Sequence, residues 1–157
     1  MTRRLAPAAL VALTLACPAP SLAEGVVPPA KDRFAAEGVA EVPDFQRHVL
    51  PLMSRLGCNG RACHGSFQGR GGFRLSLFGY DFKSDLDALM AKDSGRVDVE
   101  APEISKVLLK PTLTNPHEGG KRMEGGSWAY NLFVRWMEAG AKGHDPENAA
   151  TFERLEV

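Results

Sequence analysis

Leu56-Gly57-Cys58-Asn59-Gly60-Arg61-Ala62-Cys63-His64-Gly65 is the stretch on which the reading of this 157-residue chain turns. Two cysteines are separated by four residues, and a histidine follows the second directly. In an oxidising compartment such a pair can close as a local disulfide. So short a loop would gain stability only at the low end of ~2–4 kcal/mol. A zinc ion would take Cys58, Cys63 and one or two of His64, His117 and His144, but structural zinc favours two C-x2–4-C pairs and the chain supplies one. A Cys-His dipeptide with a second cysteine upstream in a loop is also the layout for covalent attachment of c-type haem. There both thiols form thioethers with the haem vinyl groups, and the imidazole reaches the iron from one face. The usual spacing is two residues; here Asn59, Gly60, Arg61 and Ala62 intervene, and Gly60 would let the longer loop bulge. The spacing leaves haem and disulfide equally open. Use of the Cys/His pair as nucleophile and base is disfavoured, because neighbouring exported thiols oxidise each other. No enzymatic activity is expected.

The residues around this loop predict helices. Asp44 can cap a helix with Phe45, Val49, Leu52, Met53 and Leu56 at helical spacing and Gly57 at its end, kinked or shortened at Pro51. From Cys58 to Gly72 five residues in fifteen are glycine, which predicts a loop. Phe73–Phe78 alternates and reads as a short extended stretch. A second helix is expected from Ser84 or Asp85, with Leu86, Leu89 and Met90 on one face, and a third over Pro102–Leu109. Asn115–Gly126 is loop, and Ser127 should cap the clearest helix, which buries Tyr130, Phe133, Val134, Trp136 and Met137 before Gly140. The expected class is all-α, a small helical domain with long glycine-rich loops.

The termini carry addressing information. Met1–Arg4 is basic, Leu5–Ala16 is a twelve-residue apolar run, and small residues precede the Ala23/Glu24 junction. That is the layout of a secretory signal peptide, and the run is too short to span a bilayer. The expected location is periplasmic or extracellular, with no membrane span in the mature chain; lipid attachment at Cys17 is the alternative. Residues 24–41 hold two prolines and no period, and read as a linker before a folded unit at 42–141. Residues 142–157 read as a connector followed by the first strand of another domain. Nineteen Lys+Arg balance nineteen Asp+Glu, which argues against a nucleic-acid partner. Sixteen glycines and eleven prolines indicate a folded chain rich in loops.

Several strings outside the cysteine loop are distinctive: Gly71-Gly72-Phe73-Arg74-Leu75-Ser76-Leu77, Gly79-Tyr80-Asp81, Leu108-Leu109-Lys110-Pro111-Thr112, Pro116-His117-Glu118-Gly119-Gly120-Lys121-Arg122 and Trp136-Met137-Glu138-Ala139-Gly140-Ala141. With Leu56–Gly65 they resemble the cytochrome c-like domains of large exported planctomycete-type proteins, in the branch that has four residues between its cysteines. The family's glycine after C-N-x stands one place earlier here, at Gly60. The resemblance covers about a hundred residues. It implies a cytochrome c-like fold and one covalent haem c, with Cys58 and Cys63 as thioether attachments and His64 as the proximal axial ligand. It implies single-electron exchange with a redox partner protein, and a place in a larger protein with a following immunoglobulin-like module.

The second axial ligand has two candidates, His117 and Met123. A thioether ligand raises the reduction potential relative to a second imidazole. Packing in the core is the competing role for Met123, and a turn contact the competing role for His117. The apolar wall around the group is expected from Phe73, Leu75, Leu77, Tyr80, Phe133 and Trp136. Arg74, Lys121 and Arg122 are candidate partners for its propionates. His48 and His144 lie outside any motif and are expected to be structural or solvated.

Overall fold

A computed structural model describes residues 27–37 and 40–144. The expected leader, Cys17, and the connector and strand at 145–157 lie outside the described residues. The described elements are α1 (Ala30–Arg33), a π-helical turn (Phe45–Val49) continuing into α2 (Leu50–Arg55), α3 (Phe82–Leu89), α4 (Lys106–Leu109) and α5 (Trp128–Glu138). Short 3-10 turns span Leu77–Gly79 and Pro102–Ile104. Among the described residues there is no strand, only an isolated antiparallel bridge between Arg70 and Phe73. No described helix is long and apolar enough to cross a membrane.

The core forms where α5 packs against the π turn and α1. Trp136, Phe133, Leu132 and Met137 of α5 are buried with Phe45, Val49 and Met53, and the Phe45 and Trp136 rings stack at 5.7 Å. Each such side chain contributes ~1.5–3 kcal/mol on burial. Ser127 caps α5 as expected: its side chain accepts the Tyr130 N–H. Asp44 likewise accepts the Arg47 N–H at the start of the π turn. The Asp44 carbonyl receives both His48 N–H and Val49 N–H, so the turn widens before Pro51, which sits in the first turn of α2. A proline ring would crowd the carbonyl four residues back in a regular helix. The wider turn gives that space, so Pro51 neither breaks nor ends the helix.

Four sequence expectations change. Within 24–41, read as a linker, Ala30–Arg33 forms a helical turn and Phe34 is fully buried. Asn131 of α5 donates to the Ala35 carbonyl, so this segment is part of the core. α3 starts earlier than Ser84: Asp81 is the cap, accepting the Ser84 N–H. Asp85 instead turns inward, fully buried, and takes the Ser76 N–H and hydroxyl. That contact ends the extended stretch at Ser76, and Leu77–Gly79 follows as a 3-10 turn with Phe78 at φ 58°. The third helix breaks at Ser105, which adopts extended backbone while its buried hydroxyl accepts the Asp98 N–H.

Candidate cofactor site

The end of α2 delivers Cys58. Gly57, at φ 80°, reverses the chain, and the Cys58 N–H reaches back to the Met53 carbonyl at 2.9 Å. This is the glycine-terminated helix end of a Schellman motif. The loop then closes on itself: His64 N–H donates to the Cys58 carbonyl and Cys63 N–H to the Gly60 carbonyl, both at 2.9 Å. Gly60 does not adopt positive φ; a Cβ there would lie 3.3 Å from the Gly57 carbonyl oxygen. The stronger requirement falls on Gly65, where a Cβ would meet the Asn59 carbonyl oxygen at 2.0 Å. Asn59 is buried and donates through Nδ2 to the Ser54 hydroxyl, tying the loop to α2.

The loop opens on a cavity of about 620 Å³. That is within the ~300–1,000 Å³ range of small-molecule and cofactor sites. Cys58, Cys63, His64 and His117 all line it. Met53, Phe73, Leu89, Val107 and Pro111 provide apolar wall. Cys58 and Cys63 are free thiols, both half-buried. Burial, then the charge of Cys63, pushes the Cys58 thiol up to about 11, with Arg122 pulling in the other direction. Cys58 is therefore a neutral thiol near pH 7. The Arg122 guanidinium lies 4.0 Å from Cys63 Sγ.

The two histidines form the centre of the arrangement. Their rings are nearly parallel, 14° apart, with centroids separated by 6.5 Å. His64 Nδ1 lies 3.1 Å from the Phe73 carbonyl oxygen, and His117 Nδ1 lies 3.0 Å from that of Gly120. A carbonyl can only accept, so each neutral ring carries its proton on Nδ1 and keeps its lone pair on Nε2. Burial holds the His64 imidazole below its ordinary range, favouring the neutral ring. His117 is cradled by Gly119, where a Cβ would come within 2.8 Å of the imidazole Cε1. The Gly119 position in the Pro116–Arg122 string thus has a steric origin.

The other candidates are distributed differently. Met123 is buried in the hydrophobic core and does not line the cavity. Of the expected wall, only Phe73 lines the cavity. Leu75, Phe133 and Trp136 are core residues, and Leu77 and Tyr80 are exposed. Arg122 lines the cavity; Arg74 instead stacks on Phe67, and Lys121 pairs with Glu124 at 2.6 Å. Four cations at the cavity were not anticipated: Arg70, Arg96, Lys106 and Lys110. Lys110 stands in the distinctive Leu108–Thr112 string and could have been suspected; nothing in the sequence marks Arg96. His48 accepts the Asp44 N–H, and His144 pairs with the Asp44 carboxylate at 3.0 Å, so both are engaged away from the cysteine loop. Among the described residues, no three His, Cys, Asp or Glu side chains converge as a metal site.

Imidazoles bonded to one metal from opposite sides, at ~2 Å per bond, have ring centroids roughly 6–6.5 Å apart. The 6.5 Å His64–His117 separation is within reach of two imidazoles sharing one metal, and both thiols share the same cavity. No protein-family model matches this chain, and neither a curated protein nor a solved structure is matched by it.

Proposed function

We propose that this chain is a monohaem c-type cytochrome domain that carries single electrons between partner proteins after export. The observation that carries the reading is the near-parallel His64–His117 pair, each ring with its proton committed to a backbone carbonyl, over a cavity that also holds Cys58 and Cys63. Bound haem supplies an iron that cycles between its ferrous and ferric states.

Every other part of the work falls to the chain. Cys58 and Cys63 would hold the group covalently, and His64 and His117 would bind its iron. Both Nδ1–H···O=C contacts fix the orientation and tautomer of the imidazoles. Met53, Phe73, Leu89 and Val107 keep water away from the centre. Arg122, with Lys106 and Lys110, is available to two propionates. The resemblance in the Leu56–Gly65, Leu108–Thr112 and Pro116–Arg122 strings supports the same conclusion, including a cytochrome c-like fold.

The reading is tested by a redox titration of the chain exported from a host with haem-attachment machinery. A single reversible one-electron transition, at the low potential of two imidazole ligands rather than the higher potential of imidazole and thioether, is expected. A chain with no redox-active chromophore contradicts the proposal.

A further inference from the structure

We propose that Arg96 is a positioning residue for His64, fixing the proton and the plane of that imidazole through Phe73. The proposal rests on the reading of His64 as a ligand only for its functional consequence. The Phe73 carbonyl accepts His64 Nδ1–H, and the Phe73 ring lies against the imidazole with centroids 4.6 Å apart. His64 is therefore oriented by the turn that Phe73 closes, with the Arg70 backbone of the same turn as a second partner.

Phe73 closes a turn that is weak by itself. Arg70 and Phe73 exchange backbone hydrogen bonds at 3.0 Å across Gly71 and Gly72, both at positive φ and both with open space where a side chain would be. Two adjacent glycines lose more backbone freedom on ordering than any other pair. Arg96 offsets that cost. Its Nη2 donates to the Gly72 carbonyl at 2.8 Å, and its guanidinium stacks over the Phe73 ring at 4.6 Å. Its Nη1 donates to the Ala88 carbonyl in α3 at 3.0 Å. The Arg96 carbonyl receives the Val107 N–H of α4. One side chain thus transfers the rigidity of α3 and α4 to the glycine turn, and from there to His64. A ligating histidine depends on such outer partners for its tautomer, and their loss costs ~10–100-fold in metal affinity.

The test uses Arg96→Gln and Arg96→Lys in the exported chain, with Arg74→Gln as a control, since Arg74 stacks on Phe67 instead. In haem-free chain at mildly alkaline pH, long-range proton–nitrogen NMR reads the His64 tautomer directly. Wild type and Arg74→Gln should be Nδ1–H, Arg96→Gln should populate both tautomers, and Arg96→Lys should fall between. In haem-loaded chain, displacement of an axial imidazole by cyanide should be at least ~10-fold faster in Arg96→Gln. If the chain takes up no haem, the tautomer measurement still decides the role of Arg96. A folded Arg96→Gln with an unchanged His64 tautomer overturns the proposal, as does an equal change in Arg74→Gln. Should Arg96→Gln fail to fold, Arg96→Lys is judged by the same criterion.

Discussion

The His117 and His64 rings lie 6.5 Å apart and 14° from parallel, while Met123, six residues further on, is turned into the core. This division of roles predicts opposite consequences for two substitutions. His117→Ala should convert the loaded protein to a form that binds added imidazole or cyanide readily. Met123→Leu should leave the visible spectrum unchanged and cost less than ~1.5 kcal/mol, the usual range for a swap of equal volume. Optical spectra and denaturant melts of both variants check this.

Two glycines should respond differently to the same added methyl group. In Gly65→Ala the Cβ would sit 2.0 Å from the Asn59 carbonyl oxygen, a rigid backbone atom. Overpacking of that kind costs ~1–3 kcal/mol or more, so a clear fall in Tm is expected. In Gly119→Ala the Cβ would meet the His117 ring, which can rotate away. The fold should survive in that variant while the spectrum changes as it does for His117→Ala.

Stability should fall on mild acidification, in part through His48. Burial, reinforced by Arg33, lowers its pKa below the ordinary imidazole value. The folded state therefore binds this proton less readily than the unfolded chain. His48 favours folding fully above about pH 6.5, and that contribution is lost as the pH falls through its depressed folded value. Nδ1 of His48 accepts the Asp44 N–H at 2.9 Å, a bond that protonation removes. Melts between roughly pH 7.5 and 5 should show a shallower decline in His48→Gln than in wild type.

Capping at the start of α5 gives a stability prediction independent of any cofactor. The Ser127 side chain accepts the Tyr130 N–H at 3.3 Å. Ser127→Ala should cost about 1 kcal/mol in a denaturant melt and leave any bound group undisturbed.

Local chemistry made much of this legible. The cap at Ser127, the cap at Asp44 and the glycine end at Gly57 were all visible, because each is a residue type with one strong local use. The cysteine loop stood out through its Cys-His dipeptide, and His117 only through the resemblance carried by the Pro116–Arg122 string. What escaped were contacts across the chain. No periodicity surrounds Phe34, yet its segment is held in the core by α5, about a hundred residues away. The Ser105 hydroxyl takes the Asp98 N–H and the Asp85 carboxylate takes the Ser76 N–H and hydroxyl, pairings that no local motif marks. Arg96 acts through the Phe73 ring and two carbonyls, and none of those partners can be inferred from its neighbours in sequence.

The central claim is covalent attachment of one haem through Cys58 and Cys63, and the most direct measurement is the intact mass of the exported chain after acid-acetone extraction. The account predicts a mass increased by one haem and a Soret band that survives extraction. It also predicts loss of both in a Cys58→Ser, Cys63→Ser double variant. A colourless chain lighter by two hydrogens, with Cys58 and Cys63 joined as a disulfide, would contradict it.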